Sequence, residues 1–372
     1  MKIVKKLTEM TKGTVPFGSR EPNGTVPIVI FLTLVLIASA LHSCKSVSVA
    51  GDYAGTVLYA PLQDQELTEK PLLGDYFDTV RTISLEYADA DNYVPRVQDV
   101  KLTDSNIFLR AEDELYIYDY DGKLARKISR LGRGHGEYLQ ITDFDIDRER
   151  ELIYIYDRMS YCFLVYRFDG SFVRKISDIR LHPNEFAVLN DGHLLFLTLD
   201  DTTWGSIGLF EADENAKMVR CLLKFPDYMQ REIVSTRYLV HINDSVVGCM
   251  GLEDSDIIYH YSNDSLCSAF KIRTDMEITT ENLQEGETAY GKMGYWETDR
   301  FVGLTILYGD LKWLILSYDK QTERLVRYYR DEFKNNNFKE IAEFVPSFAY
   351  CYKGSFIDCS DLSSITILTL KR

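Results

Sequence analysis

A strand-turn-strand unit that recurs along the chain is the feature that most constrains its fold. Residues 116–129 match residues 164–177 at seven of fourteen positions, with an offset of 48. In each copy an alternating apolar segment runs into Asp-Gly, and a second alternating segment follows. Asp-Gly favours the positive φ angles of tight hairpin turns, and a period of two places alternate side chains on one face. The unit is therefore predicted to be a β-hairpin.

Three weaker copies of this hairpin follow, and together they define the period of the repeat. The aligned apolar positions of the five copies are Tyr118, Tyr166, Phe210, Tyr259 and Leu316. Successive copies are thus separated by 48, 44, 49 and 57 residues. A period in the forties with hairpins throughout is typical of the blades of a β-propeller.

Strands near both ends of the repeat region bring the count to six blades. Residues 348–352, 355–358 and 365–370 supply three strands of the sixth blade, and residues 79–86 are free to supply the fourth. Such a strand would close the ring and remove its open edges. We predict an all-β fold, a six-bladed β-propeller of four-stranded antiparallel blades over residues 75–372. Residues 274–292 are interpreted as a long insertion between blades. A seven-bladed ring and an irregular β-solenoid are the alternatives.

The N-terminal segment has the pattern of an export signal. Five basic residues precede an uncharged apolar run over residues 26–41, which leads into Leu41-His42-Ser43-Cys44. The sixteen residues of the run are fewer than the roughly 20 that a membrane-spanning helix needs. A Leu three positions before a Cys and a small residue directly before it resemble the bacterial lipobox, in which the Cys is acylated. We predict a lipoprotein signal peptide over residues 1–43, lipidation of Cys44, and a tether and lead-in segment over residues 44–74. A plain signal peptide and an N-terminal anchor helix are the alternatives.

The charge balance limits the class of partner. The chain has 42 Lys and Arg against 57 Asp and Glu, a net charge of −15. Removal of residues 1–43 deletes five basic and two acidic side chains and brings the net charge to −18. Because an acidic surface repels phosphate backbones, we expect no nucleic-acid partner. The expected partners are the membrane, through Cys44, and a protein or glycan.

Cysteine and histidine patterns give no support for a metal or a catalytic centre. None of the cysteines forms Cys-x-x-Cys or has a His at zinc-like spacing. The histidines after residue 43 lie outside the Gly-x-Ser-x-Gly and His-Glu-x-x-His patterns of hydrolases. We predict no metal site, no cofactor and no catalytic residue, and the sequence favours a protein that is not an enzyme.

The glycine-rich segment Gly132-Arg-Gly-His-Gly-Glu-Tyr138 is the main candidate site. Phosphate-binding fingerprints need a helix after the glycines, whereas here a strand follows, so nucleotide binding is not expected. The structural interpretation is that the glycines are needed only because they allow positive φ angles where one blade crosses to the next. The functional alternative is that Arg133, His135, Glu137 and Tyr138 contact a partner.

This segment also carries a resemblance to a known family. It is similar to Gly-[Arg/Lys/Gln]-Gly-Pro-Gly-Glu-Tyr in the six-bladed β-propeller lipoproteins of gut Bacteroidota, which are related to NHL-repeat propellers and largely without assigned function. Residues 80–86 likewise resemble the family's lead-in. His135 stands where the family has Pro, which implies a less rigid loop. The resemblance is close over residues 70–200 and rests on the blade pattern elsewhere.

Two functions from different classes are compatible with these features. The leading hypothesis is a membrane-tethered, non-enzymatic binding or scaffold module of the cell envelope, expected at the outer membrane, with periplasmic and surface exposure both open. The alternative is a calcium-dependent hydrolase or lactonase acting at the central channel, where six-bladed lactonases hold calcium through carboxylates. The available carboxylates are Asp143, Asp145, Asp191 and Asp254.

Overall fold

Strands form all the regular secondary structure in the part of the chain that the structure describes. The computed structural model describes residues 55–60, 77–86, 97–199, 207–224, 237–251, 257–274, 290–308, 312–329, 350–359 and 364–371. Within these ranges there is no helix, and hence none long and apolar enough to cross a membrane.

Two strands precede the first blade: β1 (Thr56–Ala60) and β2 (Phe77–Ser84). The first blade contains β3 (Val97–Leu102), β4 (Asn106–Ala111), β5 (Glu114–Asp119) and β6 (Leu124–Ile128). The second contains β7 (Asp143–Asp147), β8 (Leu152–Asp157), β9 (Cys162–Arg167) and β10 (Phe172–Ile176). The third contains β11 (Glu185–Val188), β12 (Leu194–Thr198), β13 (Gly208–Ala212) and β14 (Met218–Lys224).

The fourth blade contains β15 (Leu239–His241), β16 (Val247–Met250), β17 (Ile257–Ser262) and β18 (Ser265–Thr274). The fifth contains β19 (Tyr290–Glu297), β20 (Phe301–Tyr308), β21 (Lys312–Asp319) and β22 (Arg324–Tyr329). The sixth contains β23 (Tyr350–Tyr352), β24 (Ser355–Asp358) and β25 (Ser364–Leu370).

Six antiparallel sheets arranged as blades confirm the predicted six-bladed propeller. Each blade runs from an innermost to an outermost strand, and the turns between its first and second strands open on one side of the ring, here called the mouth face. The sixth blade is completed by β2, which pairs antiparallel with β25, Ile83 opposite Ile365. The predicted closure by a strand from before the first blade is therefore confirmed.

The repeated Asp-Gly turns have the backbone that their sequence predicts. Gly122 and Gly170 both have φ of +81°, which a residue with a side chain adopts only with strain. In the first turn Asp119 Oδ1 accepts from the backbone N–H groups of Asp121 and Lys123, at 3.0 and 2.9 Å. In the second turn the Asp of Asp-Gly is the acceptor, since Asp169 Oδ1 accepts from the N–H of Ser171 at 2.8 Å. A carboxylate thus supplies acceptors that the backbone of the turn lacks.

Arginines on the outermost strands join neighbouring blades. Arg126 Nε donates to the carbonyl of Asp169 in the next blade at 3.2 Å, and Arg174 NH2 donates to that of Glu214 at 2.8 Å. Arg81 and Arg220 make the corresponding bonds, to Tyr120 and Asp264. Apolar layers fill the space between blades; one of them contains Phe108, Ile117, Phe144, Ile155 and Tyr166 of the first two blades.

The structure differs from the sequence predictions at two segments. The fourth blade has a fifth strand, because β1 pairs in parallel with β18, and β1 lies within the predicted tether and lead-in segment 44–74. The insertion predicted for 274–292 is shorter, since β18 ends at Thr274 and β19 begins at Tyr290. The predicted signal peptide and Cys44 lie outside the described residues.

Candidate functional site

Charged side chains from the innermost strands gather along the axis of the ring. Alternation places Asp99 and Lys101 on one side of β3, and Asp143 and Asp145 on one side of β7. The innermost strands of neighbouring blades lie in contact, so these side chains meet groups from other blades. We call the set the channel cluster: Asp99, Lys101, Asp143, Asp145, Glu185, Arg237 and His241.

Two cations and a histidine of the channel cluster contact two of its carboxylates. Lys101 Nζ lies 3.6 Å from Asp99 Oδ2 and 3.6 Å from Asp145 Oδ1, between the first and second blades. Arg237 forms an ion pair with Asp99. His241 Nε2 of the fourth blade lies 2.7 Å from Asp145 Oδ2. Both carboxylates are fully buried, so an unpaired charge there would be strongly unfavourable.

Backbone donors add hydrogen bonds to the carboxylates of the channel cluster and tie three blades together. The N–H of Phe186 donates to Asp143 Oδ2 at 3.1 Å, and that of Val188 donates to Asp145 Oδ2 at 2.7 Å, joining β7 to β11. Glu185 at the start of β11 accepts from the N–H of Leu239 at 2.9 Å, and so joins the third blade to the fourth. The cluster therefore fixes the relative positions of the innermost strands.

The four acids of the channel cluster differ in protonation. Burial raises the pKa of Asp143 to about 6 and that of Glu185 to about 7, and nearby Lys101 and Arg237 offset this only in part. Burial also acts on Asp145, but His241 and Lys101 outweigh it and hold its pKa well below the usual range. Arg237 and Lys101 likewise lower the pKa of Asp99. Two acids are thus ionised near neutral pH, while two exchange protons there.

A cavity of about 390 Å³ lies above the cluster where the channel opens on the mouth face. That volume falls in the range of about 300–1,000 Å³ typical of ligand pockets. Five blades contribute to its lining, which includes Thr103, Asp104, Ser105, Asp147, Arg148, Glu149, Asn190, His241, Asp244, Tyr352 and Lys353. We call it the mouth cavity. A second cavity of about 30 Å³, lined by Lys101, Arg237, His241 and Cys351, lies deeper in the channel.

Fixed contacts hold the walls of the mouth cavity in place. The Arg148 guanidinium lies 4.0 Å from the centre of the Tyr352 ring, and its Nε donates to the carbonyl of Leu102 at 2.9 Å. Tyr352 in turn donates its hydroxyl to Asp244 Oδ1 at 2.6 Å. Lys353 Nζ lies 2.5 Å from Asp244 Oδ2. These contacts join the first, second, fourth and sixth blades, so the cavity has rigid walls.

The glycine-rich segment connects β6 to β7, and its four candidate residues differ in exposure. Arg133 and His135 are exposed, and the His135 ring lies 4.8 Å from that of Phe172. Glu137 turns back onto its own loop, where its Oε2 accepts from the N–H of Gly134 at 2.6 Å. A Cβ on Gly132 would lie 2.0 Å from that oxygen. The glycine at 132 therefore makes room for the glutamate.

Tyr138 has a structural position in this segment. Its side chain is 0% exposed, and its hydroxyl donates to the carbonyl of Asp113 at 2.8 Å and accepts from the N–H of Arg130 at 3.2 Å. Burial raises the pKa of Tyr138 to about 12. Of the four candidates only Arg133 and His135 present their side chains to solvent, and a partner-binding role for them stays a prediction.

The carboxylates considered for calcium do not converge. Asp143 and Asp145 lie in the channel cluster, whereas Asp191 is in the β11–β12 turn, where it accepts from the N–H of His193 at 2.9 Å. Asp254 lies outside the described residues. Among the described residues no group of three or more His, Cys, Asp and Glu side chains could hold a metal ion.

The cations of the channel cluster were not singled out by the sequence. Positions that face the channel are indicated by charged residues that alternate with apolar ones on the first strand of a blade, as in Asp99-Val-Lys101. Arg237 precedes β15 in an irregular segment, so no periodic pattern marks it.

Solved structures of other proteins share the fold of this ring. A protein of Bacteroides fragilis NCTC 9343 whose name describes it as exported has a TM-score of 0.62 and 14% identity, over 85% of this chain and all of that one. A member of the DUF4221 family from Bacteroides vulgatus has a TM-score of 0.50 and 8% identity, over 79% of this chain and 97% of that one. At these identities the likeness shows the fold alone.

The class is therefore that of six-bladed propellers found in Bacteroides. Within it, the model of the domain of unknown function DUF4934 matches residues 62–368, most of the chain. The chain belongs to the DUF4934 family, which confirms the family resemblance found in the sequence. No curated protein matches it.

Proposed function

We propose that this protein is a membrane-tethered binding module of the cell envelope, and that its ligand is a neutral glycan held in the mouth cavity. The observation that carries the proposal is the cavity itself, a rigid polar pocket at the axis to which five blades contribute. The lipobox at Cys44 and the exported neighbour support the envelope location, and the lipobox supports an anchor in the outer membrane.

The charges of the mouth cavity favour a neutral ligand. Asp104, Glu149 and Glu151 are exposed carboxylates on its wall, whereas the Lys353 ammonium is paired with Asp244. Exposed carboxylates repel anionic ligands. Sugar hydroxyls can donate to carboxylates, to the side-chain carbonyl of Asn190 and to the hydroxyl oxygen of Ser105.

A cavity-filling substitution tests the proposal. Ser105→Trp places an indole in the mouth cavity, while Ser171→Trp places one in the β9–β10 turn at a residue that does not line the cavity. Both serines are exposed turn residues, and each side chain makes a local hydrogen bond. Binding of the full-length protein in detergent to an array of neutral oligosaccharides is measured for wild type and both variants.

We expect the wild type and Ser171→Trp to bind the same glycans, and Ser105→Trp to bind them at least tenfold more weakly. No glycan bound above background by the wild type would overturn the glycan assignment. Equal binding by the Ser105→Trp protein would show that the ligand lies elsewhere on the ring.

A further inference from the structure

Strands β1 and β18 form the outer edge of the fourth blade. One side of this edge packs against the rest of the ring, and the other side does not. Adjacent residues of parallel strands point to the same side, and β1 pairs Leu58 with Ile272. Both are buried, and Phe270, next on that side of β18, lies 6.1 Å from the Tyr318 ring of the fifth blade. That side of the edge therefore faces the fifth blade.

The opposite side of this edge is exposed and combines apolar and basic groups. Val57 is 50% exposed and Tyr59 62% exposed, and their partners on β18 are Lys271 and Arg273. Neither of the two cations has an ion-pair partner among the residues that the structure describes. We call this surface, formed by Val57, Tyr59, Lys271 and Arg273, the β1 face.

A tyrosine and an aliphatic residue beside two cations match the chemistry of a phospholipid headgroup layer. Tyr places its ring against acyl chains and its hydroxyl in water, and aliphatic residues partition into the boundary. Lys and Arg are attracted to anionic headgroups by about 1 kcal/mol each.

The chain before β1 gives a reason for a membrane at this position. Eleven residues, 45–55, separate Cys44 from Thr56. At roughly 3.3–3.6 Å per residue they span at most about 40 Å. If Cys44 carries an acyl group, β1 is therefore the described strand that the fewest residues separate from the bilayer.

We propose that the β1 face rests on the anionic phospholipid surface in which Cys44 is anchored. This inference depends on the lipid anchor of the proposed function. The perimeter of the fourth blade then contacts the membrane, and the ring stands on its edge. In this orientation the mouth cavity opens sideways and stays accessible to ligand.

Photocrosslinking to lipid tests this orientation. Tyr59 is replaced by p-benzoylphenylalanine in the full-length protein, which is matured and reconstituted in vesicles of phosphatidylethanolamine and phosphatidylglycerol. The matched control carries the same group at Tyr161 on the second blade, which is 54% exposed. Mass spectrometry first establishes whether Cys44 is acylated, and lipid adducts are then counted at each position.

We expect lipid adducts at position 59 and few at position 161. Lys271→Ala with Arg273→Ala removes two cation contacts worth about fivefold each and should lower the yield at position 59 by up to about thirtyfold. An acylated protein with equal yields at the two positions would overturn the orientation and leave the anchor intact. An unacylated Cys44 would overturn the anchor and the orientation together.

Discussion

Single residues of the glycine-rich segment show how a motif that resembles a binding site can have a structural role. The segment Gly132–Tyr138 has the composition of a binding loop, yet Tyr138 is buried and Glu137 binds its own loop. The glutamate needs an adjacent position without a side chain, and the tyrosine needs backbone partners in the first blade. Both requirements account for Gly132, Glu137 and Tyr138, while a partner-binding role for Arg133 and His135 stays a prediction.

Replacement of Tyr138 by Phe tests this structural role. The substitution keeps the ring but leaves the carbonyl of Asp113 and the N–H of Arg130 without their partner, so the free energy of unfolding should fall by about 1–2 kcal/mol. Urea denaturation measures the change. Tyr161→Phe, at an exposed tyrosine, should change stability by less than about 0.5 kcal/mol. Equal effects of the two substitutions would contradict the assignment.

Glu185 gives the channel cluster a pH dependence of definite sign. Its folded pKa is about 7, whereas the unfolded chain titrates near the ordinary value for Glu. Between these two values the folded state holds a proton that the unfolded state has lost, so stability falls as pH rises through this window. Relative to Glu185→Gln, the wild type should lose on the order of 2 kcal/mol between pH 4.5 and pH 7.5.

Urea denaturation of both proteins across this pH range measures the difference. Gln keeps the shape of the side chain but cannot titrate, so its own pH profile reports the remaining groups. Parallel profiles for the two proteins would show that Glu185 stays ionised in the fold.

The pattern of strands and turns repeats from blade to blade more faithfully than the residues that form it. Arg126 and Arg174 lie at equivalent positions, 48 residues apart, and each reaches a carbonyl in the turn of the next blade. The identity of these positions between the two best copies therefore reflects a contact between repeats. The repeat unit includes its interface with its neighbour, as expected for a quasi-one-dimensional array.

Removal of these arginines should destabilise the ring in equal steps. Arg126→Ala and Arg174→Ala should each lower the free energy of unfolding by about 0.5–1.5 kcal/mol, and the double variant by their sum, because they serve different interfaces. Chemical denaturation of the three variants measures this. Lys123→Ala, at an exposed turn residue, is the control. A control effect as large as that of either arginine would contradict the interpretation.

At the scale of the whole molecule, the architecture was predictable and part of the site was not. Hairpin period and alternation are local signals, and they gave the blade count and the closure by β2. The pairing of β1 with β18 joins segments more than 200 residues apart and has no counterpart among the described strands of the other blades, so no repeat marks it. Asp143 and Asp145 could be identified as channel carboxylates, but Lys101 and His241, which contact Asp145, come from other blades.

Truncations distinguish the two strands that precede the first blade. Deletion of residues 1–76 removes β1 but keeps β2, and the ring should remain closed and monomeric. Deletion of residues 1–85 removes β2 and exposes the edge of β25, so the melting temperature should fall by more than about 10 °C and the protein should aggregate. Calorimetry and light scattering measure both. Equal behaviour of the two truncations would refute closure by β2.

Ring closure also sets the order of events during biogenesis. Ile83 pairs with Ile365, 282 residues later, so β2 has no partner until almost all of the propeller has been synthesised. Pairings of such long sequence separation form slowly. A chain that is exported while unfolded would carry β2 across the membrane first and complete its ring last, and β2 would remain unpaired until β25 arrives. For this period the protein would depend on periplasmic chaperones, long before any ligand reaches it.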